Sequence, residues 1–283
     1  MTFRDLREIV QATGAGWVAD YAQSMGAALA FYTLFSIAPL LLIVISIAGL
    51  VFGDEAARGE IFGQLQHMLG ATGALAVQGL LESVRKPAES VTASATGVVL
   101  LLIGATSVFG ELQDALDRIW RAPVRAPSAG LWTIMRARLL SFGMILGIGF
   151  LLIVSLVASA ALAALRKWWG PLLSNWATIA SAVEFALSFA LVTMVFAMIY
   201  KLMPRVQIAW KDVWVGAAVT SLLFTIGKFL IGVYIGQSDI ASGFGAAASL
   251  VVVLVWVYYS AQVFLVGAEF TWVYSHKFGS RRS

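Results

Sequence analysis

Two ionisable side chains stand alone inside long apolar stretches: Glu184 within Trp168–Tyr200 and Lys228 within Val213–Ser238. A charge near the middle of a membrane span costs at least about 2.5–3.5 kcal/mol to insert, so such residues mark ion or substrate pathways by default. Lys228 lies eight residues before Gly236, and Glu184 eight residues after Trp176. At about 1.5 Å per helical residue, both sit about 12 Å from the same membrane surface. The short turn Pro204–Lys211 joins the two stretches, which should therefore be antiparallel neighbours. The expectation is a Glu184–Lys228 ion pair, or a polar cavity shared by the two, in the outer half of the membrane. There Lys228 would attract an anionic group, and Glu184 would release it on protonation or compete with it. Two structural alternatives stand beside this: lysine can snorkel outward along its own stem, and a buried pair can simply fix helix register.

Other acids fall into a separate group. Glu269 lies near the opposite, cytoplasmic end of its span, at a depth well removed from Lys228. Inner-face arginines such as Arg118, Arg121 or Arg138 are its expected partners. Glu111, Asp114 and Asp117 alternate with Leu112, Leu116 and Ile119, so Glu111–Trp120 reads as an amphipathic continuation of a span. Its charged face is expected to be solvated, with a gate or a partner-docking face as the second possibility. Pro39 removes a hydrogen bond to the Phe35 carbonyl and predicts a kink, and so a hinge, in the first span.

The elements that must position these residues follow from composition. Of the 283 residues, 60% are hydrophobic and only 12% charged, about half the charged fraction of a soluble domain. Met25–Gly53, Ser90–Gly110, Leu139–Leu165 and Ile240–Ala268 carry no charge at all. With the two singly charged stretches they predict an all-α integral membrane protein of six spans, each near the roughly 20 residues that cross the hydrocarbon core. The expected boundaries are 25–52, 91–110, 139–165, 177–203, 213–236 and 244–274, in one membrane domain covering 1–283. Residues 1–24 should form an inner interfacial helix through Phe3, Leu6, Val10, Trp17 and Tyr21. Residues 54–89 should form one or two amphipathic helices outside, either a packed connector or a cap, and 111–138 a basic cytoplasmic segment.

Assigning alternate loops to opposite sides collects thirteen Lys and Arg residues on one side and five on the other. The positive-inside rule then places both termini in the cytoplasm. Nine of the ten tryptophans, all but Trp256, fall at expected span ends, where an amphipathic indole prefers to sit. The small-residue pairs Gly143/Gly147, Gly232/Gly236, Gly26/Ala30 and Ala93/Gly97 suit close helix packing. The first 24 residues are polar or amphipathic and the next apolar run is too long for a signal-peptide core, so no cleavable leader is expected.

Several chemistries find no support. There is no cysteine, and the two histidines, His67 and His276, fall on opposite sides of the expected topology, so no metal site is expected. The one Gly-Lys pair, Gly227-Lys228, precedes Phe229 where a phosphate loop needs Ser or Thr. No G-x-S-x-G or H-E-x-x-H occurs. Neither an enzyme nor a cofactor is expected. The net charge of +4 is explained by orientation rather than by nucleic acid. Halves 1–3 and 4–6 show no inverted repeat, so one common pointer to a transporter fold is missing.

Ala27-Ala-Leu-Ala-Phe-Tyr-Thr-Leu-Phe-Ser-Ile-Ala-Pro39, Asp114-Ala-Leu-Asp-Arg-Ile-Trp120, Lys228 and Gly267-Ala-Glu269, in this order, resemble the YihY/BrkB family of bacterial inner-membrane proteins. The resemblance covers nearly the whole chain and implies a six-helix integral membrane protein. The chain departs from the family pattern at Asp117, where the family carries Asn, and at Phe244-Gly245, where it carries Tyr-Gly. An old label for such proteins, ribonuclease BN, finds no metal cluster or soluble domain here to support it.

The leading expectation is a non-ATP transporter in the bacterial inner membrane, moving an anionic or amphipathic, lipid-like substrate. The alternative is a membrane scaffold that binds partner proteins or anionic lipids through 111–138 or 54–89 without moving anything. A homo-oligomer is compatible with either, and a passive channel comes third because no filter-like motif is visible.

Overall fold

The computed structural model describes residues 3–53, parts of 55–82, and residues 107–123, 176–237 and 248–282. All regular structure among them is helical. The helices are α1 (Phe3–Ala19), α2 (Ala22–Phe52), α3 (107–119), α4 (Trp176–Leu202), α5 (Trp210–Gln237) and α6 (Ala248–Lys277). Most of 91–110, all of 139–165, Arg138 and the Gly143/Gly147 pair lie outside the described residues.

Among the described residues, three helices are long and apolar enough to cross a membrane, over Phe185–Leu202, Trp210–Ile231 and Leu250–Lys277. Their surfaces suit that solvent. On α5, Leu222, Ile226, Phe229 and Leu230 all face outward, an arrangement that water penalises and lipid does not. α2 runs unbroken through Pro39, whose ring lies outside the described side chains.

α6 is the central element, packed against α5, α2 and α1, while α4 packs against α5. Side chains seated on glycines set the α5–α6 register. Thr271 fills the space over Gly216, Thr220 that over Gly267, and Tyr259 that over Gly227. As numbers rise on α5 they fall on α6, so the helices are antiparallel, and each missing Cβ lets the backbones approach. The fully buried Tyr200 of α4 joins this seam: its hydroxyl donates to the Phe264 carbonyl at 2.7 Å and lies 3.0 Å from Thr220 Oγ1.

Among the described residues, two apolar cores flank the seam. One gathers Met25 and Leu29 of α2, Leu116, Ile119 and Trp120 at the end of α3, Met203, and Phe264 and Leu265 of α6. Trp120 is thus buried in protein rather than lying in an interfacial belt, because α3 turns its apolar side into the bundle. The second core packs Leu65, Val77 and Leu81 of the 55–82 region against Leu34, Ile37 and Leu41 of α2 and Val253 and Trp256 of α6. At the far end of α6, the chain folds back onto α5: buried Asp212 accepts hydrogen bonds from the Ser280 amide at 3.2 Å and hydroxyl at 2.6 Å.

Candidate functional site

Lys228 sits half-buried on α5. Among the described residues, the ion pairs join other side chains and none reaches it. The backbone of Glu184 lies in α4, but its side chain is outside the described residues, and the expected Glu184–Lys228 pair with it. Other polar groups occupy the same stretch of the seam. Ser221 is two turns before Lys228 on one face of α5, buried, and its Oγ has no hydrogen-bond partner among the described residues. Phe224 lies between them and meets the Trp256 ring edge-on, centroids 6.2 Å apart. The Trp256 indole N–H is likewise buried without a partner among the described residues. Unsatisfied polar groups of this kind are rare in folded interiors and call for an explanation.

A second polar region closes the other end of α6. It starts from Asp20, in the break between α1 and α2, whose amide donates to the Gly16 carbonyl at 2.8 Å. Only 5% of Asp20 is exposed. Its carboxylate forms an ion pair with Arg121 Nη1. Arg121 terminates α3 in the left-handed region, at φ 52°. The Arg121 amide donates to the Arg118 carbonyl at 3.1 Å and the Ala122 amide to the Asp117 carbonyl at 2.8 Å. These two bonds form a Schellman cap, in which the left-handed position ordinarily belongs to glycine. A side chain there costs about 1–2 kcal/mol, and the guanidinium offsets it through Asp20 and through the Trp272 ring, 5.5 Å away.

Glu269 of α6 enters the same place. It is 1% exposed. α1 makes room with Gly16, where a Cβ would lie 2.6 Å from Glu269 Oε2. Asp20 stands one turn after Gly16, and the Glu269 carboxyl lies in the field of both Asp20 and Arg121. Neither Glu269 Oε1 nor Asp20 Oδ2 has a hydrogen-bond partner among the described residues. Two buried carboxyls thus share one cation. Beside them Trp17 Nε1 donates to Gln262 Oε1 at 3.0 Å, and Gln262 Nε2 donates to the Ala22 carbonyl at 3.3 Å.

The remaining candidates are spread over the same face. Arg118 lies over the Tyr21 ring at 5.9 Å, and Tyr21 is itself left-handed at φ 57°. Asp117 binds the α4–α5 turn: it accepts the Arg205 amide at 2.8 Å and pairs with Arg205 Nε at 3.2 Å. Exposed Asp114 reaches Arg205 Nη2 at 3.8 Å. Burial pushes the Asp117 carboxyl above the usual range, and the Arg205 amide and charge pull it back only in part. Glu111 is pushed up too, first by burial and then by neighbouring Asp114. Among the described residues no three potential metal ligands converge.

Sequence reasoning missed Asp20, Gln262 and Arg205 as site residues. Asp20 carried a usable signal, an acid between an amphipathic segment and an apolar run. Gln262 escaped because only formal charges were sought within spans, although a buried amide there also needs partners. Arg205 counted only as one more cytoplasmic cation.

The family model for Virulence factor BrkB matches residues 15–283. The UPF0761 membrane protein of Pseudomonas aeruginosa strain LESB58 is 28% identical over 276 residues, covering 94% of this chain and 62% of that protein. Its counterpart in Psychromonas ingrahamii is 29% identical over 255 residues, covering 86% and 79%. The one in Tolumonas auensis is 27% identical over 247 residues, covering 86% and 77%. The chain therefore spans about three-fifths of the length of the Pseudomonas relative. No solved structure matches. By the family match and these relatives, the chain belongs to the virulence factor BrkB family of membrane proteins.

Proposed function

We propose that this chain is a six-span protein of the bacterial inner membrane, with both termini cytoplasmic, that carries an anionic or amphipathic, lipid-like substrate without ATP. The observation that carries this reading is Lys228, a cation on an apolar helix that no described carboxylate meets, in line with the Ser221 hydroxyl and on the same seam as the Trp256 indole N–H, both without a hydrogen-bond partner among the described residues. A bundle that only scaffolds gains nothing from polar groups held unsatisfied in its interior, where each costs about 1–3 kcal/mol. A passing anion with an apolar body satisfies both the ammonium and the aromatic seam. Lys228 supplies the charge that holds the headgroup, and Glu184 competes with it.

The chain has no cysteine, so single cysteines can be placed in an otherwise unchanged protein. Ser188→Cys, Ser221→Cys, Phe224→Cys and Gly232→Cys would be probed in sealed vesicles with an anionic, membrane-impermeant thiol reagent. Transport through this seam predicts labelling at Ser221→Cys and Phe224→Cys, and a lower rate for the anionic reagent, but not for a neutral one, when Lys228→Met is added. Uniform protection in folded protein would overturn the reading and favour the scaffold.

A further inference from the structure

Asp20 and Glu269 approach from different elements, one from the α1–α2 break and one from α6, and neither is exposed by more than 5%. Two carboxyl groups meet in a protein interior only when a proton or a cation lies between them. Arg121 supplies one positive charge through its ion pair with Asp20. Among the described residues that leaves one negative charge over, and two buried carboxyl oxygens, Asp20 Oδ2 and Glu269 Oε1, with no donor.

We infer that Asp20 and Glu269 hold one exchangeable proton between them, and that this pair is the proton-binding site of the transport cycle. Bound, the proton sits on one carboxyl and is donated to the other, and the cluster of two acids and one arginine is neutral. Released, it leaves a net charge of −1 beside Arg121. The arginine side chain is 50% exposed while that of Asp20 is 7% exposed, so the guanidinium marks the way from the buried pair to water.

Among the described residues, the surroundings hold no other group placed to serve. On α1, Gly16 makes room for Glu269, and Thr13 places a buried hydroxyl that has no described partner one turn before Gly16. On α3, Arg118 is engaged over Tyr21. On α6, Trp272 stacks under Arg121, His276 Nδ1 bonds the Trp272 carbonyl at 2.8 Å, and Lys277 pairs with Glu8 at 3.4 Å. On α5, facing Gly267 and Thr271, stand Gly216 and Thr220, with no titratable group between them. Asp212, at the start of α5, is held by Ser280.

The proton's role in transport rests on the reading given above; its binding does not, so the test reads binding alone. Full-length protein in lipid nanodiscs would be titrated from acid to alkaline pH while infrared difference spectroscopy follows the carbonyl stretch of protonated carboxylic acids. Wild type should show a buried-acid band, retained in Asp117→Asn, that shifts in heavy water and disappears as the pH rises. Glu269→Gln and Asp20→Asn should each abolish it, and Glu111→Gln should leave it in place. Circular dichroism and gel filtration establish that the variants are folded. Lack of a titrating band in wild type overturns the inference without recourse to any variant. So does a band that survives both substitutions, or one that responds to sodium rather than to pH. If the band behaves as expected but the cysteine probes stay protected, the proton site stands and transport falls.

Discussion

Replacing Arg121 by Met tests the organisation of the inner cluster directly. The substitution keeps an unbranched side chain over Trp272 but withdraws the cation from two carboxyls that are 5% and 1% exposed. Breaking a buried ion pair from one side costs about 3–5 kcal/mol. Because the Arg121 side chain is 50% exposed, water screens part of the interaction, and about 2–3 kcal/mol is the expected loss. Met at this position keeps the left-handed strain. Arg121→Gly loses the same ion pair but relieves the backbone, so it should be more stable than Arg121→Met by about 1 kcal/mol. Asp20→Asn placed in the Arg121→Met background removes the stranded charge and should recover at least half of the loss. Unfolding in mixed micelles with increasing sodium dodecyl sulfate, followed by circular dichroism, gives all three differences. A loss below about 0.5 kcal/mol for Arg121→Met, the size of an ordinary surface change, would refute the reasoning. So would a loss that is unchanged in the Asp20→Asn background, because additive effects mean that the two residues do not interact.

Asp117→Asn should be within about 0.5 kcal/mol of wild type at neutral pH, because it keeps the acceptor for the Arg205 amide, whereas Asp117→Ala orphans that amide and should cost about 1–2 kcal/mol. Since burial raises the Asp117 carboxyl in the folded protein, the folded state holds its proton to higher pH than the unfolded chain does. Asp117 should therefore make stability fall as the pH rises through the carboxylate range, and this component should vanish in Asp117→Asn. Gly216→Ala drives a methyl into the Thr271 side chain and should destabilise by about 1–3 kcal/mol in the same micelle assay, with Thr271→Ala in that background recovering part of it. Glu269→Gln should change the labelling rate of Ser221→Cys by more than tenfold if proton binding and the Lys228 seam belong to one cycle; a change within that factor would separate them.

The long elements were legible because charge-free stretches leave few alternatives. The run Met25–Gly53 lies, but for its last residue, within a helix that spans Ala22–Phe52, and the turn inferred at Pro204–Lys211 joins two helices that do pack together. What joins them was less visible. Of the small-residue pairs picked out by spacing, Gly26 takes the Gln262 side chain of α6 and Ala30 is buried, while the surroundings of the other three lie outside the described residues; setting the α5–α6 register is a separate task. That task falls to Gly216, Gly227 and Gly267, which share no four-residue spacing on one helix and work only because Thr271, Tyr259 and Thr220 sit opposite. Complementarity across two helices is a property of register, and a single sequence does not display it. The inner cluster was half visible for the same reason. Glu269 was marked by its depth in an apolar span, but Asp20 and Arg121 acquire their meaning from a helix break and a helix cap that bring positions 20, 121 and 269 to one point.

The distance between the two polar regions constrains how they can work together. Thr220 lies level with Gly267 in the antiparallel seam, which puts Glu269 level with residue 218, ten positions from Lys228. At about 1.5 Å per residue the separation along the helices is about 15 Å. Two unit charges that far apart interact by about 1 kcal/mol at an effective dielectric constant of about 20, less than the roughly 1.4 kcal/mol that makes a factor of ten. Direct attraction between a deprotonated Glu269 and Lys228 is therefore too weak to switch an anion site on and off. Any strong coupling has to travel through the helices themselves. α6 is suited to this, because it carries Glu269 near one end, Tyr259 beside Gly227 and Lys228 further along, the interlocked Gly267 between them and Thr271 just beyond Glu269. A shift of α6 by part of a turn, triggered by charge at the inner pair, would unseat those side chains together, and the glycines that allow the close fit are also what would make such a movement all-or-none.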